Sequence, residues 1–155
     1  MNRPLLIALF FPLTANAHQV IGIADGDTIA VRCGSSEVMR VRLSSIDAPE
    51  KGQPFGQRSR QSLSDLCFGK DAQLQIRDKD RYGRTVARVI CDGVDANRAQ
   101  VERGMAWNYT RYSRDPELVT VQEQAKAAGR GLWADREPVP PWEWRREKNN
   151  LRGKD

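Results

Sequence analysis

The chain has 155 residues and a net charge of +5 at pH 7, with a pI near 9.4. That size suits one domain with its own hydrophobic core, and the charge suits a polyanionic partner. A single histidine, His18, disfavours catalysis by a histidine base or a histidine pair, and likewise a Ser-His-Asp hydrolase. The spacings of Cys33, Cys67 and Cys91 do not suit zinc.

Residues 1–17 carry Arg3, an apolar run from Leu5 to Leu13 and the small-x-small triplet Ala15-Asn16-Ala17. They read as a cleavable signal peptide, which predicts a secreted or periplasmic protein. The apolar run is about half the ~20 residues that a membrane span needs. His18 then lies at or near the new N-terminus as a solvated residue. In an oxidising compartment two of the three cysteines can pair, and Cys67 with Cys91 is favoured because a helix end and a strand end can meet across a small core. Three buried thiols are the alternative.

Apolar and polar alternation predicts strands at 19–24, 28–33 and 38–45, with Cys33-Gly34-Ser35-Ser36 as the hairpin turn between the last two. A helix follows over 55–68, with Leu63, Leu66 and Cys67 on one side and Gly69 ending it. Strands return at 72–77 and 84–91, joined by the charged connection Asp78-Lys79-Asp80-Arg81-Tyr82-Gly83. A second helix is predicted at 95–103, and a third opens at Asp115-Pro116 and closes at Gly129. From 137 to 155 the composition turns to Pro, Trp and Arg without periodicity, and this stretch reads as a basic tail. Trp133, Trp142 and Trp144 are expected to cover the core or a seam. The order βββ-α-ββ-α-α predicts an α+β domain over 18–136, a five-stranded OB-type Greek-key barrel with three packed helices.

The chemistry concentrates between Ile23 and Glu50. Asp27, Asp47 and Glu50 lie on turns at strand ends, and Arg42 interrupts the apolar strand Val41-Arg42-Leu43. Turn acids often only hydrogen-bond their own backbone, and an arginine on a strand's outer face needs no function. Together, however, hard oxygen donors beside a guanidinium are what a Ca²⁺ or Mg²⁺ site handling a phosphate requires. Arg84, at the start of a later strand, supplies a second guanidinium. Two such forks and a cation can neutralise a phosphodiester as it gains charge at phosphorus.

Asp25-Gly26-Asp27-Thr28, Arg42-Leu43, Asp47-Ala48-Pro49-Glu50, Asp80-Arg81-Tyr82-Gly83-Arg84 and Gly104-Met105-Ala106 follow one another before an aromatic segment. In these blocks the sequence resembles the staphylococcal nuclease (thermonuclease) family over about residues 20–134. The resemblance implies a five-stranded barrel of the OB type and Ca²⁺-dependent hydrolysis of DNA and RNA with little sequence preference, leaving 3′-phosphate ends. It implies that Asp27 and Asp47 hold calcium with the Ala48 carbonyl, that Arg42 and Arg84 bind phosphate, and that Glu50 is the general base. By the same likeness Arg81 and Tyr82 hold a terminal phosphate, and Tyr112 contacts substrate. Ala48 stands where the best-known member has threonine, which keeps the carbonyl and removes a hydroxyl.

A monomer is expected. Two other readings stay open: a catalytically silent OB-fold module that binds nucleic acid without cutting, and an exported structural or adhesion domain whose charges only solvate.

Overall fold

A computed structural model describes residues 18–153, so the expected signal peptide lies outside the described residues. Three strands, β1 (His18–Asp25), β2 (Thr28–Cys33) and β3 (Glu37–Leu43), form the antiparallel meander. The chain then makes the two-residue strand β4 (Ile46–Asp47), crosses a loop, and enters α1 (Gly56–Cys67). A second hairpin follows, from β5 (Asp71–Lys79) and β6 (Thr85–Cys91), and then the short β7 (Val94–Asp95). The remaining elements are α2 (Ala96–Glu102), β8 (Trp107–Asn108), α3 (Pro116–Ala127), a 3-10 turn at Gly131–Ala134 and α4 (Pro141–Arg152).

The barrel closes through pairings distant in sequence. β1 pairs antiparallel with β5, and β3 pairs parallel with β6, with Val41 opposite Thr85 and Arg42 opposite Val86. Five strands, β1, β2, β3, β5 and β6, therefore make a closed α+β barrel. Alternate residues point inward along each strand, and Val20, Ile29, Val31, Val41, Leu43 and Val89 fill the interior. Helix α1 lays Leu63 and Leu66 against that core. A disulfide joins Cys67 at the end of α1 to Cys91 at the end of β6, across a Cα–Cα distance of 5.3 Å. Cys33 is a free thiol.

Buried polar side chains brace the helices on the barrel. Asn97 of α2 accepts from the Val89 amide at 2.9 Å and donates to the Ser44 carbonyl at 2.8 Å. Gln100 donates to the carbonyls of Gly26 and Ser59 at 2.8 and 3.0 Å, tying the β1–β2 turn to α1. Two glycines set how closely these parts approach. A Cβ on Gly26 would stand 1.8 Å from Ser59 Oγ, and one on Gly56 would stand 2.2 Å from the Glu50 carbonyl oxygen. Neither position can carry a side chain without moving the turns that hold the acids.

The described residues form four α-helices rather than three. Residues 141–152 of the expected tail form α4, which starts with Pro141 at a first-turn position, has Glu143 in its first turn and Arg152 in its last, and ends at Gly153. These are ordinary start and stop signals. No apolar stripe accompanies them, because Pro141 is the only buried residue of the helix.

Candidate active site

Asp27 closes the two-residue turn between β1 and β2, and its backbone carbonyl accepts from the Leu43 amide at 2.8 Å. Its side chain is fixed from two sides. Oδ2 accepts from the Ala48 amide at 2.9 Å and Oδ1 from the Thr28 hydroxyl at 3.0 Å. Asp47 sits on β4, which pairs with β8 so that Asp47 faces Trp107. Its side chain is 1% exposed. The β1–β2 turn and β4 thus bring two aspartates from different parts of the chain to one end of the barrel.

Arg42 braces the pair. Nη1 donates to the carbonyls of Leu43 and Ile46 at 3.1 Å each. Nη2 donates to Asp47 Oδ1 at 2.9 Å and lies 3.4 Å from Asp27 Oδ2. Burial disfavours the charged guanidinium, but Asp27 and Asp47 outweigh it and hold Arg42 more firmly protonated than usual. The carboxylates feel the crowding in the opposite sense. Burial and the neighbouring Asp27 charge push Asp25 up to about 6. Burial also raises Asp47, against the pull of Arg145 and Arg42.

Glu50 lies at the rim, half-exposed, with its backbone set by Gln53. The Glu50 amide donates to Gln53 Oε1 at 3.0 Å, and the Gln53 amide donates to the Glu50 carbonyl at 2.9 Å. A second guanidinium, Arg145 of α4, reaches into this group. Its Nη2 donates to Asp47 Oδ2 at 2.7 Å, and its Nη1 to Glu50 Oε1 at 2.6 Å and Asp47 Oδ1 at 3.3 Å. Partial burial opposes its charge, and the bonds to Asp47 and Glu50 more than restore it, so Arg145 too is raised.

A family model described as staphylococcal nuclease homologue matches residues 40–135, more than half of the chain. The chain belongs to the staphylococcal nuclease family. It is 44% identical over 161 aligned positions to a protein of Haemophilus influenzae described as an uncharacterized endonuclease, covering 97% of this chain and 90% of that one. A protein of Escherichia coli O157:H7 with the same description is 42% identical, covering 94% and 97% of the two chains. A probable staphylococcal-like nuclease of Oryza sativa subsp. japonica is 43% identical over 72% of this chain, which corresponds to 34% of the rice protein.

Within the family's barrel, the structure gathers Asp27, Arg42, Asp47, Ala48 and Glu50 at one site. The other residues singled out from sequence lie apart from it. Arg84 Nε donates to Asp80 Oδ2 at 2.7 Å, and Asp80 Oδ1 accepts from the amides of Tyr82 and Arg84 at 2.9 and 3.0 Å. Slight burial works against ionisation of Asp80, and the Arg84 bonds outweigh it and keep the carboxyl below its ordinary value. The Arg84 side chain is thus spent on its own hairpin instead of turning to the acids. Arg84 immediately precedes β6, two residues before Val86, the partner of Arg42 across the parallel ladder.

Tyr82 is 70% exposed, with the Arg81 and Arg84 guanidinium carbons 5.1 and 5.6 Å from its ring centre. Tyr112 is 69% exposed, its ring centre 4.9 Å from that of Tyr109. Neither contacts the acids. Arg145 is the member that sequence reasoning missed. The helix signals around it were present, but nothing marks which residue of the Arg145-Arg146 pair turns back onto the barrel.

As the side chains stand, no three His, Cys, Asp or Glu residues among those described converge on one point as a metal cage. The donor chemistry nevertheless fits a hard divalent cation. Asp27 and Asp47 offer buried carboxylate oxygens, and Ca²⁺ and Mg²⁺ complete such sites with carbonyls and water.

Proposed function

We propose that the protein is an exported, Ca²⁺-dependent phosphodiesterase that hydrolyses DNA and RNA with little sequence preference and leaves 3′-phosphate ends. Family membership and the endonuclease descriptions of its relatives support phosphodiester hydrolysis. The observation that carries the reading is the buried Asp27–Asp47 pair cross-braced by Arg42, with Glu50 at its open rim. The signal-like pattern of residues 1–17 supports export, and among the described residues no helix is long and apolar enough to cross a membrane.

Asp27 and Asp47, with the Ala48 carbonyl, would hold the cation. Bound there, it supplies Lewis-acid stabilisation of negative charge on a phosphoryl oxygen. Arg42 is held by two carbonyls and two carboxylates, so its guanidinium meets the developing charge without reorganising. Arg84 adds a second fork once it leaves Asp80. Glu50, oriented through Gln53, positions a water in line with the leaving oxygen and accepts its proton. A carboxylate is a weak base at neutral pH, so orientation is the larger part of that role.

Plasmid and single-stranded DNA incubated with Ca²⁺ or with chelator test the reading, together with analysis of the product ends. Degradation only with Ca²⁺, to 3′-phosphate ends, is expected. DNA that is bound yet intact in excess Ca²⁺ would instead identify a silent binding module.

A further inference from the structure

We propose that α4 is a built-in plug, with Arg145 standing on Asp47 and Glu50 as a surrogate cation that must withdraw before a divalent ion and a phosphodiester can enter. The inference rests on the divalent-cation reading of the site. Both carboxylate oxygens of Asp47 are taken, Oδ1 by Arg42 and Arg145 and Oδ2 by Arg145. An ion that binds Asp47 therefore competes directly with Arg145. Glu50 is engaged by the same group, since Oε1 accepts from the guanidinium at 2.6 Å and that oxygen is not free to take a proton from water.

The plug is seated by the segments that hold the acids. Trp142, one turn before Arg145, stacks on Tyr109 with ring centres 5.1 Å apart and planes 9° apart, and meets Trp107 edge-on at 5.7 Å. Trp107 is the residue paired with Asp47 between β8 and β4. On the other side Gln53 receives the Glu50 amide and donates to the Val139 carbonyl at 2.7 Å, just ahead of α4. Movement at Asp47 or Glu50 is thereby felt by α4, and the reverse.

The seat is also releasable. Only Pro141 of α4 is buried, and the Arg145 and Glu50 side chains are 40% and 38% exposed. The helix carries Arg145, Arg146, Lys148 and Arg152 against Glu143 and Glu147, a net positive charge. Freed from the acids, this charge favours a phosphate backbone, which takes a guanidinium fork as a carboxylate does. A cation on the acids and a polyanion on the helix therefore both favour the open form.

Calorimetric titration with Ca²⁺ in the absence of nucleic acid tests the plug on the full chain after removal of any signal segment. A site closed about nine-tenths of the time binds its ion about ten-fold more weakly than an open one. Arg145→Gln and Trp142→Ala should each tighten the apparent dissociation constant by about that factor. Wild-type tryptophan emission should shift as Ca²⁺ is added, and Ca²⁺-free Arg145→Gln should already show the shifted emission. Equal or weaker Ca²⁺ affinity in both variants overturns the plug alone. Absence of Ca²⁺ binding in all three proteins overturns the plug together with the cation reading on which it rests.

Discussion

Arg42 and Arg84 leave neighbouring strands of one barrel, yet they occupy opposite kinds of surroundings. Arg42 is locked by the carbonyls of Leu43 and Ile46 and by two buried aspartates, so it serves stability and site geometry at once. Arg84 sits at the foot of a charged hairpin whose tip is exposed, and it is held by a single acid, Asp80, four residues earlier. One half of the phosphate grip is preorganised by the fold. The other half has a local partner that it must exchange for substrate.

The sharpest way to break this contrast is Arg42→Ala. Its loss should lower turnover on the order of 10²- to 10³-fold or more, as for removal of a preorganised donor at the developing charge. It should also leave buried Asp27 without its counter-ion and Asp47 with Arg145 alone, costing about 3–5 kcal/mol in metal-free denaturant unfolding. Arg84→Ala should lower turnover by a similar order of magnitude. Its unfolding free energy should stay within about 1 kcal/mol of wild type, as for other pairs at a surface. Equal destabilisation by the two variants would erase the distinction.

Asp25→Asn probes what burying a carboxylate beside Asp27 costs the preorganised half. Asp25 has its ordinary value of 3.8 when unfolded and about 6 when folded, so ionising it costs stability. The cost is absent below about pH 4, grows between pH 4 and 6, and is complete above pH 6. Asparagine keeps an oxygen for the Asp27 amide, which Asp25 Oδ1 now receives at 3.1 Å. The variant should gain about 1–2 kcal/mol in metal-free unfolding at pH 7–8 and nothing at pH 4. The smallest effect belongs to Asp80→Asn, which weakens the hold on Arg84. It should lower KM for single-stranded DNA by about two- to five-fold, in line with the modest strength of a surface ion pair.

The same contrast explains what the sequence could show. Strand alternation and turn residues marked all five barrel strands, because inward Val, Ile and Leu recur with period two in β1, β2, β3 and β6. Strand β5 still alternates Ala72, Leu74 and Ile76 with polar residues, although Ile76 is exposed. Asp27, Arg42, Asp47 and Glu50 were legible as a group because turns at strand ends carry them to one rim. The partner of Arg84 was not, since its choice between a phosphate and Asp80 depends on hairpin geometry that spacing leaves open. Helix α4 was missed for a related reason. It docks through Arg145, Trp142 and the Gln53 bridge to Val139 instead of an apolar stripe, so hydrophobic periodicity had nothing to report.

Cleavage and binding of single-stranded DNA by Glu50→Gln, measured side by side at saturating Ca²⁺, address the central claim most directly. If Glu50 works on water beside the Asp27–Asp47 pair, cutting should fall by about 10²-fold or more, as for loss of a general base. Binding should persist and weaken with salt, because the arginines remain. Wild-type cutting by this variant would contradict the account.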